Sequence, residues 1–308
     1  MHIRCWRNYK EYFLIAVLAF IMAGAAIYGK KNYFVDEIYS YGLANSENES
    51  ISLPITDGVT YYHNDPYTEY MNSSDSFPWS FRYVWANQIQ DVHPPLYYAV
   101  VHVVCSLMPG TFSIWYTGVI NIVFFILTMA LLGRMIERKV NNRKYAAIAM
   151  IAFVTCAGIL QACTLLRMYI MAMFILTALS YWHLFNYDLN HFKTGQFYGL
   201  ILLIFVGGLT HYYIIIFMVF EALFFSIHLF LLKQYRYLKY YWISLVTGAS
   251  LAWLAFPDMF NHIFNGGRGK QAFEIFQSTG GCSERLLSFI CFWCNDFFTR
   301  LTPKSTVR

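Results

Sequence analysis

Residues 91–108 read DVHPPLYYAVVHVVCSLM, and whether this stretch crosses a membrane decides the topology of everything around it. An aspartate, a histidine and two prolines stand directly ahead of an apolar run, Leu96 to Met108. Proline lacks an N–H and restrains the residue before it, so the pair is poor helix interior but a good helix start. The stretch reads as the lip of a helix, with Asp91 and His93 held just outside it. The run is about 13 residues long where a span needs about 20. It is therefore expected to lie on, or dip into, one face of the membrane.

Composition sets the class. Of the 308 residues, 58% are hydrophobic, 20% aromatic and only 13% charged, and the mean hydropathy is +0.42. Soluble domains carry about 25% charged residues, so the chain reads as an all-α polytopic membrane protein. The formal charge of +5 sits in short clusters between apolar runs, as in loops facing cytoplasmic lipid, and gives no basis for a nucleic-acid partner. The seven cysteines lie mostly in apolar segments. The single CxxC, Cys291 and Cys294, lacks a second pair or a nearby histidine and reads as helix packing.

Apolar runs give seven expected spans: Tyr12 to Gly29, Phe112 to Gly133, Tyr145 to Leu165, Met168 to Phe185, Phe197 to Leu209, Tyr212 to Leu232 and Tyr240 to Phe256, with an eighth candidate at Leu286 to Phe298. The Lys/Arg clusters at the N-terminus, at Arg134 to Lys144 and at Lys233 to Lys239 belong on the cytoplasmic side. That parity holds only if Leu96 to Met108 does not cross. A long outer loop, residues 30–111, then carries membrane-parallel helices. Residues 1–256 form the transmembrane module, and 257–308 an outer loop and a partial further span. The chain reads either as a fragment or as a short form holding only that module.

The parity gathers the polar chemistry on the outer face. Nine acids (Asp36, Glu37, Glu47, Glu49, Asp57, Asp65, Glu69, Asp75 and Asp91) stand between Lys30 and His93 against three bases. Glu47, Glu49, Asp57 and Asp65 read as solvated loop. Asp36 and Glu37 follow the first span at the membrane surface, where a carboxylate can be desolvated and tuned as a base. His93, Arg167 in LLRMYIM and His211 in GLTHYYI return to the same face from different segments. Singly, each reads as an interfacial side chain. Three together suit a lipid-linked phosphate, since arginine offers a bidentate fork and a low dielectric strengthens it.

These residues carry a resemblance. Asp36-Glu37-Ile38-Tyr39, then HPPLYY at 93–98, RMY at 167–169 and THYY at 210–213, in this order, resemble the bacterial membrane glycosyltransferases related to protein O-mannosyltransferases, family 39-like enzymes of the GT-C fold. The resemblance implies a GT-C module of about seven transmembrane helices in the cell membrane, with its active site on the extracytoplasmic face. Asp36 would be the catalytic base and Glu37 would hold acceptor or sugar. His93, Arg167 with Tyr169, and His211 would bind the donor phosphate, and Asp91 would position His93 or line the acceptor side. The implied partners are a polyprenyl-phosphate sugar donor, a glycan, lipid or protein acceptor, and membrane lipid. The implied reaction is an inverting displacement with no metal or other cofactor required, although Asp57, Asp65 and Asp75 leave an ion site open. One departure stands out: Thr164-Leu165-Leu166 precedes Arg167 where the family often has Gln-Glu-Ala.

The alternative is a transporter or flippase-like protein that binds a lipid-linked or cationic substrate. Glu221 lies mid-span with His228 two turns along, and an intramembrane acid is a functional hypothesis, but interhelical hydrogen bonding is its plainer reading. Asn48 and Asn72 match a glycosylation pattern that is common by chance, and GGRGK at 266–270 lacks the frame of a phosphate loop.

The topology predicts that a membrane-impermeant thiol reagent added from outside reaches cysteines introduced at Asn72 and Gly267, but not one at Asn141. Labelling of Asn141→Cys from outside would overturn the placement of the site.

Overall fold

The computed structural model describes residues 10–47, 66–74, 78–185 and 192–265, and among these every regular element is helical. The chain divides into a unit Met1–Asp258 and a unit Met259–Arg308; in the second, the described residues contain a π-helical turn, Asn261–Asn265.

In the first unit the helices are α1 (Lys10–Tyr28), α2 (Val35–Asn45), α3 (Pro66–Met71), α4 (Phe81–Gln90), α5 (Leu96–Cys105), α6 (Ile114–Val140), α7 (Arg143–Thr155), α8 (Ala157–Thr164), α9 (Tyr169–Phe185), α10 (Gly195–Gly208), α11 (Tyr212–Leu231) and α12 (Tyr235–Ala255). Three of them, α1, α6 and α11, are long and apolar enough to cross a membrane. The surface supports that reading. On α1, Ile15, Ala19, Ala23 and Ile27 face inward at every fourth position, while Phe13, Leu14, Phe20 and Ile21 point out. Small residues inside and large apolar ones outside suit a lipid surround. The chain is an α-helical protein of membrane type.

The sequence-based spans are met unevenly. Tyr145 to Leu165 is not one helix: α7 and α8 meet at a bend of 55°. Cys156, between them, is extended, and Thr155 Oγ1 bonds back to the Ile151 carbonyl, an i−4 bond of the kind that bends helices. Counted as one broken span, the pair makes a fourth crossing. Helices α9 and α10 have 17 and 14 residues, about 26 and 21 Å at 1.5 Å per residue. Leu96 to Met108 forms only the 10-residue α5, too short to cross. Leu286 to Phe298 lies outside the described residues.

Two apolar cores meet along α9. Ile170 joins α1, α6, α7 and α8, whereas Met171, Ile175, Leu179 and Trp182 pack toward α10, α11 and α12 and toward the short helices α2 to α5. Those short helices are pinned by side chains bonding backbone. The Tyr41 hydroxyl donates to the Ser113 carbonyl at 2.8 Å and accepts from the Thr117 N–H. Asn45 donates to the Met71 carbonyl, Asn87 to those of Leu43 and Ser46, and Trp85 to that of Ala255. The carbonyls of Leu43, Ser46, Met71 and Ala255 lie at or just past helix C-termini, where carbonyls lack intrahelical partners.

The helix start expected at the two prolines is present, with Pro95 as N-cap. Its freed donor has a particular destination: the Leu96 N–H gives its hydrogen to the Leu209 carbonyl at 2.9 Å, at the C-cap of α10. One blunt helix end satisfies another. This bond seats the 91–95 turn against Thr210 and His211.

Helices α10 and α12 approach closely at Gly248, where a Cβ would fall 2.8 Å from Ile204 Cβ and 2.9 Å from the Ile201 carbonyl oxygen. Since backbone cannot yield as a side-chain tip can, Gly248→Leu should destabilise the protein by about 1–3 kcal/mol, read as a lower unfolding midpoint in detergent. Gly199→Leu, on α10 but facing open space, should leave the midpoint unchanged.

Candidate functional site

The site begins with a buried acid. Glu37, fully buried at the third position of α2, accepts the Phe34 N–H on Oε2 at 2.8 Å, the reach-back of a capping box. Its Oε1 accepts the Leu166 N–H and stands 2.9 Å from Lys30 Nζ. Sequence reasoning gave Glu37 to the acceptor or sugar. With both oxygens engaged and no exposed surface, it instead ties the start of α2 to the segment before Arg167.

That segment is held from the other side by Asn121, about two turns into α6. Its amide hydrogens go to the carbonyls of Cys163, 3.0 Å, and Leu165, 2.6 Å. Leu165 also accepts the Arg167 N–H at 2.8 Å, closing a tight turn. Arg167 therefore leaves the loop in a fixed direction.

Its guanidinium is the centre of the cluster. Nη1 pairs with Asp36 Oδ2, Nη2 lies 3.3 Å from His93 Nε2, and the guanidinium carbon sits 5.7 Å from the centre of the Tyr169 ring. The His211 ring lies 6.0 Å from that of His93 and 6.1 Å from that of Tyr169, centre to centre. His93 Nδ1 is 2.7 Å from Asp91 Oδ2. Asp36, Asp91, His93, Arg167, Tyr169 and His211 thus come together, from α2, the 91–95 turn, the start of α9 and the cap of α11. Glu37 lies behind them.

The hydrogen-bond partners assign roles to the ring nitrogens. Arginine has only donors, so His93 Nε2 must accept, and the ring keeps its proton on Nδ1, donated to Asp91. His211 Nδ1 caps α11 by accepting the Tyr213 N–H at 3.2 Å, so the His211 proton sits on Nε2. Burial, with help from His93 and Arg167, pushes His211 down to about 4. Of the three residues grouped as cationic or cationisable from sequence, His211 is therefore held as a neutral ring beside the Arg167 charge. Burial would raise the Asp91 carboxyl, but hydrogen bonds from His93 and Val92 and the nearby Arg167 charge hold it below its usual value.

The cluster has unspent capacity: Arg167 Nε and the Tyr97 hydroxyl are buried without hydrogen-bond partners. Sequence reasoning missed Asn121 and the pairing of Lys30. A polar residue inside an expected span was the available signal for the first, and a base just ahead of a boundary acid for the second. Glu49, Asp57, Asp65 and Asp75 lie outside the described residues, as do Cys291 and Cys294. Among the described residues no three His, Cys, Asp or Glu side chains form a metal-binding set.

A second polar cluster joins three helices. His183 on α9 has Nε2 3.0 Å from the Tyr241 hydroxyl on α12, and Glu221 of α11 stands 3.7 Å from His183 Nδ1. It lies 14 residues along α9 from Tyr169, about 21 Å. Glu221 is thus beside an interhelical histidine.

No family model, curated protein or solved structure matches the chain.

The charge assignment has a pH signature. The unfolded chain protonates His211 near 6.5, whereas the folded chain resists protonation until about 4. The folded state therefore loses stability as pH falls through that window. His211→Asn keeps a cap acceptor for α11 and should remove part of the drop in unfolding midpoint between pH 7 and pH 5.

Proposed function

We propose that the protein is a membrane glycosyltransferase that moves a sugar from a polyprenyl-phosphate donor to an acceptor hydroxyl. The observation that carries this reading is a single buried arginine, steadied by Asp91 and His93 on one side and paired with the exposed carboxylate of Asp36 on the other. A cation held in place with little solvent around it suits a phosphate. An acid beside it suits the proton of an incoming hydroxyl.

In the proposed reaction Asp36 takes the acceptor proton, and the acceptor oxygen bonds to the anomeric carbon. The bond from that carbon to the phosphate oxygen breaks, and its electron pair stays on the phosphate. The phosphate goes from one negative charge to two while Asp36 goes from one to none, so the added charge develops beside Arg167, as transition-state stabilisation requires. Attack opposite the leaving phosphate inverts the carbon. The GT-C fold, the extracytoplasmic placement and the acceptor class belong to this proposal.

The transporter reading draws on the Glu221–His183–Tyr241 cluster, since transporters place substrate sites on helices near the midplane. The two readings rank variants oppositely. For the transferase, Arg167→Lys should lower transfer from a polyprenyl-phosphate sugar by about tenfold or more despite its charge, because an ammonium lacks the planar fork, and Glu221→Gln should change it little. Severe loss in Glu221→Gln with normal function in Arg167→Lys, measured in matched proteoliposomes, would sink the transferase.

A further inference from the structure

We infer that the Asp36–Arg167 ion pair is a latch which the donor phosphate opens by exchange, so that phosphate binding itself releases the base. The inference rests on the reading of Arg167 as the phosphate ligand. In the structure both ends of the guanidinium fork already face partners, Nη1 facing Asp36 and Nη2 facing His93, while Nε, which has no partner, is buried. With the Arg167 side chain 8% exposed, an anion gains the face of the fork by displacing a partner.

Exposure decides which partner leaves. The Asp36 side chain is 69% exposed against 8% for Arg167, so the freed carboxylate passes straight into water. His93 is 16% exposed and is held from behind by Asp91. Asp36 is the partner with somewhere to go.

Charge makes exchange preferable to addition. Around the guanidinium stand three carboxylates, Asp36, Glu37 and Asp91, against two cations, Arg167 and Lys30. A phosphodiester added to this set would bring a fourth negative charge. Put in place of Asp36, it brings one charge for one, and the buried guanidinium is never left unpaired, a costly state. The base is thereby idle while the site is empty and free once the donor is bound. An acceptor, or water, meets an available carboxylate only with donor in place.

The test is binding of farnesyl phosphate to the purified full-length chain in detergent, with farnesol and inorganic phosphate as comparison ligands and variants matched by helical circular dichroism. Removing the competitor should tighten binding: Asp36→Asn and Asp36→Ser should each bind farnesyl phosphate about two- to fivefold more tightly than the unsubstituted protein, the scale of a pair with one exposed partner. Their turnover should fall by about two orders of magnitude. Arg167→Gln should lose binding. Unchanged or weaker binding in both Asp36 variants, with Arg167→Gln still defective, overturns the latch and leaves the phosphate site standing. Equal binding by Arg167→Gln overturns the site, and the latch with it. Inorganic phosphate binding as tightly as farnesyl phosphate assigns the site to free phosphate and overturns the lipid donor.

Discussion

The arrangement depends on one buried carboxylate. Glu37 accepts hydrogen from Phe34 and Leu166 and faces Lys30, drawing together the start of α2 and a loop about 130 residues later in the chain. Asp36 is the neighbour of Glu37, and Arg167 is the neighbour of Leu166. The ion pair at the surface of the site is therefore a consequence of register: once the Glu37–Leu166 bond forms, the adjacent side chains are delivered to each other. A buried carboxylate tolerates removal from water only when its lone pairs are filled, and here backbone donors and an ammonium fill them. The same requirement that stabilises Glu37 fixes the geometry of Asp36 and Arg167.

Elsewhere the site is assembled from leftover helix ends. The α5 N-terminus gives a hydrogen to the α10 C-terminus, His211 caps α11 with one ring nitrogen, and Asn121 holds two carbonyls where α8 has stopped. A membrane environment supplies no water to satisfy such groups, so helices that break or stop there must find partners in the protein. The bend at Cys156 carries the chain toward the loop that presents Arg167; Cys156 itself bonds locally, its N–H to the Phe153 carbonyl and its carbonyl to the Leu160 N–H, while Asn121 meets the carbonyls at the end of α8.

Much of this was legible in the sequence. Long apolar runs gave α1, α6 and α11, the prolines gave the start of α5, and boundary acids and bases gave the residues that converge on Arg167. What escaped was set by contacts between distant segments. The break at Cys156 has no proline to announce it. Glu37 and Asp36 look alike as adjacent acids, and only the helical turn that sends one inward and the other out separates them. The roles of the His93 and His211 ring nitrogens follow from which one meets which neighbour, and residue type is silent on that.

The bond from Leu96 to Leu209 also bears on how the protein is made. Chains enter a membrane in order of synthesis, and the 91–95 turn emerges more than a hundred residues before the segment that completes it. At about 5–20 residues per second, His93 waits on the order of ten seconds for His211 to arrive. During that interval α5 has an unsatisfied end and the early helices lack their partner surface, so the nascent chain passes through a stage at which its first half is made but the cluster around Arg167 is incomplete. Competence arrives late, when α10 closes against a turn laid down long before.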